Sequence, residues 1–407
     1  MQFDIFFSLS QTPVDGHCPD EATMFRNFFE QVEAADSLGF KTAWLAEAHL
    51  SSEIQKRNRK PVIPHWDGEV GLMTDFPQVA ARIFARTKRI ECGSAIMNIL
   101  CNGGPIAAAE RVAAMVNLHG LDTAETRRIH VGFAGGRFEF NNRPFGICPR
   151  DAVEAAAWPA LRGQVFREAA EIFCRLLRGD TLQSSDVGET VLSRANFRSD
   201  ADWDAVCEAA GGGVDAVTIP RRYTFEELAI IPRQWRRDLL QLVIGSHDPA
   251  LQDEVNTILP VQVFNLSITQ PDKIEDTHRR LAGTYHPDGG AWQRAYMPRT
   301  TFVFINAQAH LSPEAQRAAA QEEARQALGE YWKALEGTID PKRIEKASQN
   351  ALIGNPADIA TQIRERFHPE DRLMLWFDFF NHDSPRVIAN MEAFMMHVAP
   401  SIQEDSP

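Results

Sequence analysis

The sequence predicts an α/β fold, a (β/α)8 barrel with an extended insertion between its fourth and fifth units. Three observations carry this prediction. Eight apolar runs of strand length recur along the chain, and most are separated by segments whose apolar residues repeat at helical spacing. The 407 residues also contain neither an internal repeat nor a linker that would divide them. A doubly wound open sheet is the alternative that the same alternation allows.

Phe3 to Ser8 reads as the first strand. Glu21 to Leu38 reads as a helix, with Met24, Phe28, Val32 and Ala35 along one face and Gly39 to end it. Lys41 to Glu47 is the second strand. Ser51 to Met73 is charged, aperiodic and holds two prolines, so it is a long loop of the kind that carries function. Phe76 to Thr87 forms a helix and Arg89 to Asn98 the third strand. Pro105 then stands near the start of a helix that runs to about His119. Ile129 to Phe133, apolar and partly β-branched, suits a buried parallel strand, and a helix from Trp158 to Leu177 follows.

Regularity fails over about 178–236, the predicted insertion, which holds the triplet Gly211 to Gly213, a short helix at Ala201 to Ala210 and a short strand at Val217 to Tyr223. Strands return at Leu239 to Gly245, Val261 to Leu266, Arg299 to Asn306 and Arg372 to Phe379, with helices from Pro249 and over Pro271 to Leu281. Ser312-Pro313, Asn355-Pro356 and Ser384-Pro385 each pair an N-cap residue with proline at the first helical position. Residues 1–407 are therefore expected to form a single domain.

Net charge is 42 minus 55, or −13, which argues against a phosphate backbone as partner, so no nucleic acid is expected. Six scattered cysteines without a CxxC suit a reducing cytoplasm. The start, MQFDIFFSLS, lacks a basic leader, and no apolar stretch is long enough to span a bilayer; a cytoplasmic protein without membrane contact is expected.

In a parallel barrel, chemistry gathers where the strands end. Those ends supply Ser8, Ser10 and Gln11; Glu47 and His49; Asn98, Cys101 and Asn102; Gly135, Gly136 and Arg137; Ser246, His247 and Asp248; Ser267; and Asp378, Asn381 and His382. Neither HExxH nor a nucleophile elbow is present, and no metal is expected. Gly135-Gly136 after a strand permits positive φ and close approach of a flat or phosphorylated ligand, although an ordinary tight turn reads the same way. A dinucleotide fingerprint needs a helix directly after the glycines, and the stretch from Arg137 to Phe145 reads as a loop. Gly245-Ser246, just before a helix, offers a hydroxyl and free N–H groups to an anion, or simply caps that helix. His49 beside Glu47 fits an acid/base group, or a structural histidine bonded to that carboxylate.

The succession KTAWLAEAHL, RIECGSAIMNIL, PIAAAERVAAMVNLHG, RRIHVGFAGGRFEFNNRPFG, VIGSHDPALQDEV and ALIGNPADIATQIRERF resembles the bacterial luciferase-like flavin monooxygenase family, from Met1 to Ile402 and in the same order apart from the insertion. The resemblance implies a TIM barrel that binds reduced FMN, delivered by a separate flavin reductase, at the carboxyl ends of the strands. It implies O2 attack on the flavin to give a hydroperoxide that oxygenates a small or medium organic substrate, by hydroxylation or Baeyer–Villiger insertion, in a protein that is commonly a homodimer. Carried over by position, Ser94, Ala95 and Ile96 run beneath the flavin ring, where the family can place an unusual backbone bend. Gly135, Gly136, Arg137 and Phe138 wrap its phosphate or ring edge, and Gly245, Ser246 and His247 contribute phosphate donors; the catalytic role is expected of His49 with Glu47 on their own position at a strand end, since the histidine that assists catalysis in luciferase falls at Ala48.

A dry wall of Phe6, Phe7, Trp44, Phe133, Phe138, Ile268 and Phe377 is expected to keep water from the cofactor. Two departures stand out. The family's Glu-His-His has Ala48 at its first histidine, and a phosphate-binding arginine of relatives falls at Gly135, so Arg137 or Arg143 has to reach in. Rival readings on the same barrel are an F420-dependent oxidoreductase that transfers hydride, and a non-catalytic flavin-binding relative.

Overall fold

The computed structural model describes residues 1–14, 16–58, 67–136, 138–335 and 350–403. Eleven strands are described: β1 Gln2–Phe7, β2 Thr42–Leu45, β3 Glu91–Asn98, β4 Ile129–Ala134, β5 Thr190–Ser193, β6 Ala216–Ile219, β7 Leu240–Ile244, β8 Val261–Val263, β9 Arg299–Ile305, β10 Leu352–Gly354 and β11 Arg372–Trp376. Nine form one sheet in the order β10-β9-β11-β1-β2-β3-β4-β7-β8, and every pairing in it is parallel. The sheet curls until Asn265, just past β8, bridges to Arg299 of β9. Asn265 N–H donates to the Pro298 carbonyl at 2.9 Å, and Thr300 N–H donates to the Asn265 carbonyl at 3.0 Å.

All eight expected strand runs are present, as β1 to β4, β7, β8, β9 and β11. The ninth, β10, was not expected. Three residues ending in a glycine are too few to show a period, and β10 exists only because the far half of β9, Val303 to Ile305, offers it an edge. In the stretch read as an insertion, β5 and β6 form a separate antiparallel pair with the helix Asp200–Ala209 between them; β5 was not expected.

Two boundaries also differ from the sequence reading. The helix Ala152–Arg178 starts six residues before Trp158, because the Asp151 side chain caps it by accepting from Glu154 N–H at 2.8 Å; Pro159 lies inside it. The stretch read as a loop after Gly136 contains a four-residue helix, Glu139–Asn142, and a 3-10 turn, Arg143–Phe145.

Alternation along the strands sorts their side chains into two cores. Phe6, Trp44, Val243, Phe264 and Met374 pack together inside the curl, with Ala46, Ala95, Ile96 and Trp376 against them. Phe7, Phe133 and Phe377 belong to the other core, between sheet and helices, with Phe28, Val32, Phe173 and Phe394. This corrects the expected dry wall: these three phenylalanines sit one residue out of phase with the inward rows, and Phe264, Met374 and Trp376 take their place.

Below the inner apolar layer lies a polar one. Asp4 accepts from Trp44 Nε1 at 2.7 Å and from Arg372 Nε at 2.6 Å, and Glu91 binds Lys41 Nζ and His130 Nε2, both at 2.7 Å. The opposite end, where the strands finish, is left for chemistry. Among the described residues, no helix is long and apolar enough to cross a membrane.

Candidate functional site

Because the strands all run one way, His49, Gly136 and Ser246 come to the same end of the sheet. There Glu47 and His49 follow β2 with less than a tenth of either side chain exposed, and His49 Nε2 lies 2.9 Å from Glu47 Oε1. The amide of Asn102 lies 3.1 Å from His49 Nδ1, so both ring nitrogens are engaged. Burial works against a charge on His49, but the Cys101 thiol and the Glu47 carboxyl beside it outweigh burial and push its pKa up to about 10. Burial also raises the Glu47 carboxyl, against the pull of His49 and of the Asn98 N–H. The pair therefore holds its proton on His49 at neutral pH.

A chain of amides links β3 to β4. Asn98 Nδ2 donates to Asn142 Oδ1 at 2.6 Å, and Asn142 Nδ2 donates to the Gly135 carbonyl at 2.7 Å. Gly136 takes φ +76°, and a Cβ there would sit 2.3 Å from Asn98 Nδ2. Glycine is thus required by the approach of Asn98, whatever binds above it. Phe138 stacks on Phe140 with ring centroids 5.7 Å apart; Arg137 lies outside the described residues. Asn142 was not a candidate in the sequence. It reads there as one residue of a loop, and only the fold of β3 against β4 brings it to Asn98.

In β3 the pairing register with β4 shifts between Ser94 and Met97, and the Ala95–Ile96 peptide bond is cis. Ser94 Oγ donates to the Gly132 carbonyl at 2.8 Å. Two glycines keep this irregular segment clear. A Cβ on Gly132 would meet the Ser94 carbonyl oxygen at 2.3 Å, and one on Gly245 would meet Ile96 Cδ1 at 2.5 Å. The result is an apolar platform, with Ala95 and Ile96 partly exposed and packed on Phe6, Trp44, Val243 and Phe264. Bulges of this kind are over-represented beside active sites, where they re-aim the chain.

After β7, Ser246 Oγ accepts from Asp248 N–H at 3.2 Å, and the Ser246 carbonyl accepts from Gln252 Nε2 at 2.6 Å. The helix N-terminus behind it is capped by Asp248, whose Oδ1 accepts from Ala250 N–H at 3.0 Å. Arg167 pairs with Asp248 at 3.2 Å and with Glu254 at 2.6 Å, and so brings a cation to this corner. His247 Nε2 lies 3.3 Å from Thr269 Oγ1. Arg143, the other arginine considered for a phosphate, is exposed and 3.8 Å from Glu139.

Among the described residues no group of three His, Cys, Asp or Glu side chains stands ready to hold a metal ion. A cavity of about 1040 Å³ is lined by Thr12, His17, Glu323, Phe380 and, of the strand-end candidates, Asn381 and His382.

A family model described as luciferase-like monooxygenase matches residues 1–250. No curated protein matches the chain. Among solved structures, the monooxygenase RslO1 from Streptomyces bottropensis is 16% identical with a TM-score of 0.65, over 98% of this chain and 99% of that one. The oxygenating constituent of 3,6-diketocamphane monooxygenase from the CAM plasmid of Pseudomonas putida, a type II Baeyer–Villiger enzyme in complex with FMN, is 12% identical with a TM-score of 0.56, over 98% of both chains. An F420-dependent secondary alcohol dehydrogenase in complex with an F420–acetone adduct is 13% identical with a TM-score of 0.53, again over 98% of both. At these identities the likeness is one of fold.

Proposed function

The chain belongs to the luciferase-like monooxygenase family, and from that premise we propose that it uses reduced FMN and O2 to oxygenate a small or medium organic substrate. The observation that carries the reading is the platform of Ala95 and Ile96. It is apolar and partly exposed, and it is kept so by two glycines at which a Cβ would come within 2.5 Å or less of Ser94 or Ile96. An isoalloxazine is a rigid plane of matching character, so the residues present fit it. Reduced flavin, when bound, supplies the two electrons that let one oxygen atom of O2 enter the substrate while the other leaves as water.

The chain's own residues supply the rest. Ala95 and Ile96 orient the ring from below, and Gly135, Gly136 and Phe138 border its edge. Ser246, with Gly245, His247 and the neighbouring Arg167, meets the phosphate. Asp248 puts a carboxylate in the same corner, so Arg167 must shift part of its pairing toward the phosphate for that contact to stabilise the complex. The inner layer of Phe6, Trp44, Phe264 and Met374 excludes water from beneath. His49 shares a proton with Glu47 through Nε2, while its Nδ1 accepts from the Asn102 amide, which fixes the ring for acid/base work.

The reading extends to a separate flavin reductase as the source of reduced cofactor, since no dinucleotide fingerprint follows Gly135 and Gly136, and to a cytoplasmic homodimer. Anaerobic titration with photoreduced FMN and, separately, with reduced F420 tests it, followed by admission of 18O2 with candidate substrates. Binding of reduced FMN and one labelled oxygen in the product are expected. Binding of F420 alone, with hydride transfer, overturns the cofactor; binding of FMN without oxygen transfer overturns the activity.

A further inference from the structure

We propose that Asp378, held by Ser8, recognises a hydroxyl group on a planar aromatic substrate; the inference rests on the strand ends being the reaction site. Phe6 of β1 pairs in register with Trp376 of β11. Asp4 and Phe6 on one strand, and Arg372, Met374 and Trp376 on the other, point inward, and the two-residue period carries both rows on to Ser8 and Asp378. The carboxyl therefore stands at the same strand ends as the platform, on the side opposite β4.

Its hydrogen bonding is lopsided. Ser8 N–H and Oγ–H both donate to Oδ2, at 3.0 and 2.9 Å, whereas Oδ1 has, among the hydrogen bonds of the described residues, the same N–H at 3.4 Å. A carboxylate oxygen accepts two good hydrogen bonds, so Oδ1 has capacity to spare. No cation pairs with Asp378 among the described residues. Below it lies an aromatic bed: the Trp376 ring is 4.5 Å from Phe6, 4.8 Å from Phe379 and stacked at 5.0 Å on Phe302. The indole Nε1 is buried without a hydrogen-bond partner, and it draws the Asp378 carboxyl downward from nearby rather than through a formed bond. An aromatic bed with one under-used acceptor at its rim favours an aromatic molecule that carries a donor.

The surroundings leave the carboxyl ionised for this task. Burial raises its pKa, Ser8 and Trp376 oppose that, and the value comes to about 6. A small cavity of about 30 Å³ behind it is lined by Ser8, Asn27, Gln31, Asn381 and His382. Of these only His382 titrates; burial lowers its pKa, and its Nε2 lies 2.6 Å from the Thr12 carbonyl. The donor left beside the carboxyl is the Trp376 indole N–H, which a substrate hydroxyl has to outcompete for Oδ1.

Calorimetric titration of the full chain with 1-naphthol and with its methyl ether, above and below about pH 6, tests the inference. Wild type is expected to bind the naphthol roughly tenfold more tightly than the ether above that pH, as befits a hydrogen bond to a charged acceptor. The advantage should fade below it and be absent in Asp378→Ala. Ser8→Ala removes one donor, so the pH at which the advantage fades should move upward. Equal affinity for the two probes in wild type, or an advantage that persists in Asp378→Ala, overturns the proposal. Titrating the same samples with reduced FMN separates the two readings. Failure of wild type to bind the flavin strikes the proposed function, and the probe comparison still decides the role of Asp378.

Discussion

Adding a single methyl group to either of two glycines separates the platform's shape from the stability of the fold. At Gly245 the new Cβ meets Ile96 Cδ1 at 2.5 Å, the far end of a flexible side chain. Ile96 can rotate away, and alanine, just past the end of β7, also has less backbone freedom to lose on folding than glycine, about 0.4–1 kcal/mol. Gly245→Ala should therefore leave stability within about 1 kcal/mol of wild type while pushing Ile96 into the space proposed for the cofactor. A ring lifted by a few tenths of an ångström loses much of its dispersion contact, and reduced FMN should bind on the order of tenfold more weakly.

At Gly132 the Cβ meets the Ser94 carbonyl oxygen at 2.3 Å, and backbone has nowhere to go. Gly132→Ala should cost about 1–3 kcal/mol, the usual range for overpacking, read from the midpoint of urea unfolding. Combining Gly245→Ala with Ile96→Ala makes room again and should restore most of the flavin affinity without touching Gly132. If Gly245→Ala binds reduced FMN as wild type does, or if the double variant stays weak, the platform is not where the ring rests.

Glu47→Gln removes one of the two partners that hold the His49 proton, so the His49 pKa should fall well below its present value of about 10, as followed by NMR of labelled histidine. The same shift sets a pH dependence: a histidine raised from 6.5 to about 10 on folding contributes stability that is complete below pH 6.5 and lost as pH climbs toward 10. The difference in unfolding free energy between wild type and His49→Gln should shrink across that window, and a constant difference refutes the assignment.

Glu91 runs the other way. Against the cost of burial, His130 and Lys41 hold its pKa at about 2, below the ordinary 4.5, so its stabilisation is present above pH 4.5 and lost as pH falls toward 2. Acid unfolding of Glu91→Gln should lack that part of the slope. Asn142→Ala leaves Asn98 and the Gly135 carbonyl without their shared partner, at about 1–3 kcal/mol, and should weaken reduced FMN binding as it loosens the turn after β4.

Local pattern alone determined a good deal of this protein. Eight apolar runs separated by helical periods announce a parallel α/β sheet, because each strand and helix must bury one face and that need is written in the spacing of its own residues. The same reasoning placed Glu47, His49, Gly136 and Ser246 at strand ends, and parallel strands put all such ends on one side. Tertiary structure decided the rest. β10 needs the edge of β9; Asn142 matters only because β3 lies beside β4; the width of the platform depends on Gly132 and Gly245, which are far from Ile96 in sequence. Phe7, Phe133 and Phe377 show the limit most plainly. Each is aromatic and near a strand end, but whether a ring faces cofactor or helix depends on which row of the pleat points inward, and that is settled by what the neighbouring strands bury together.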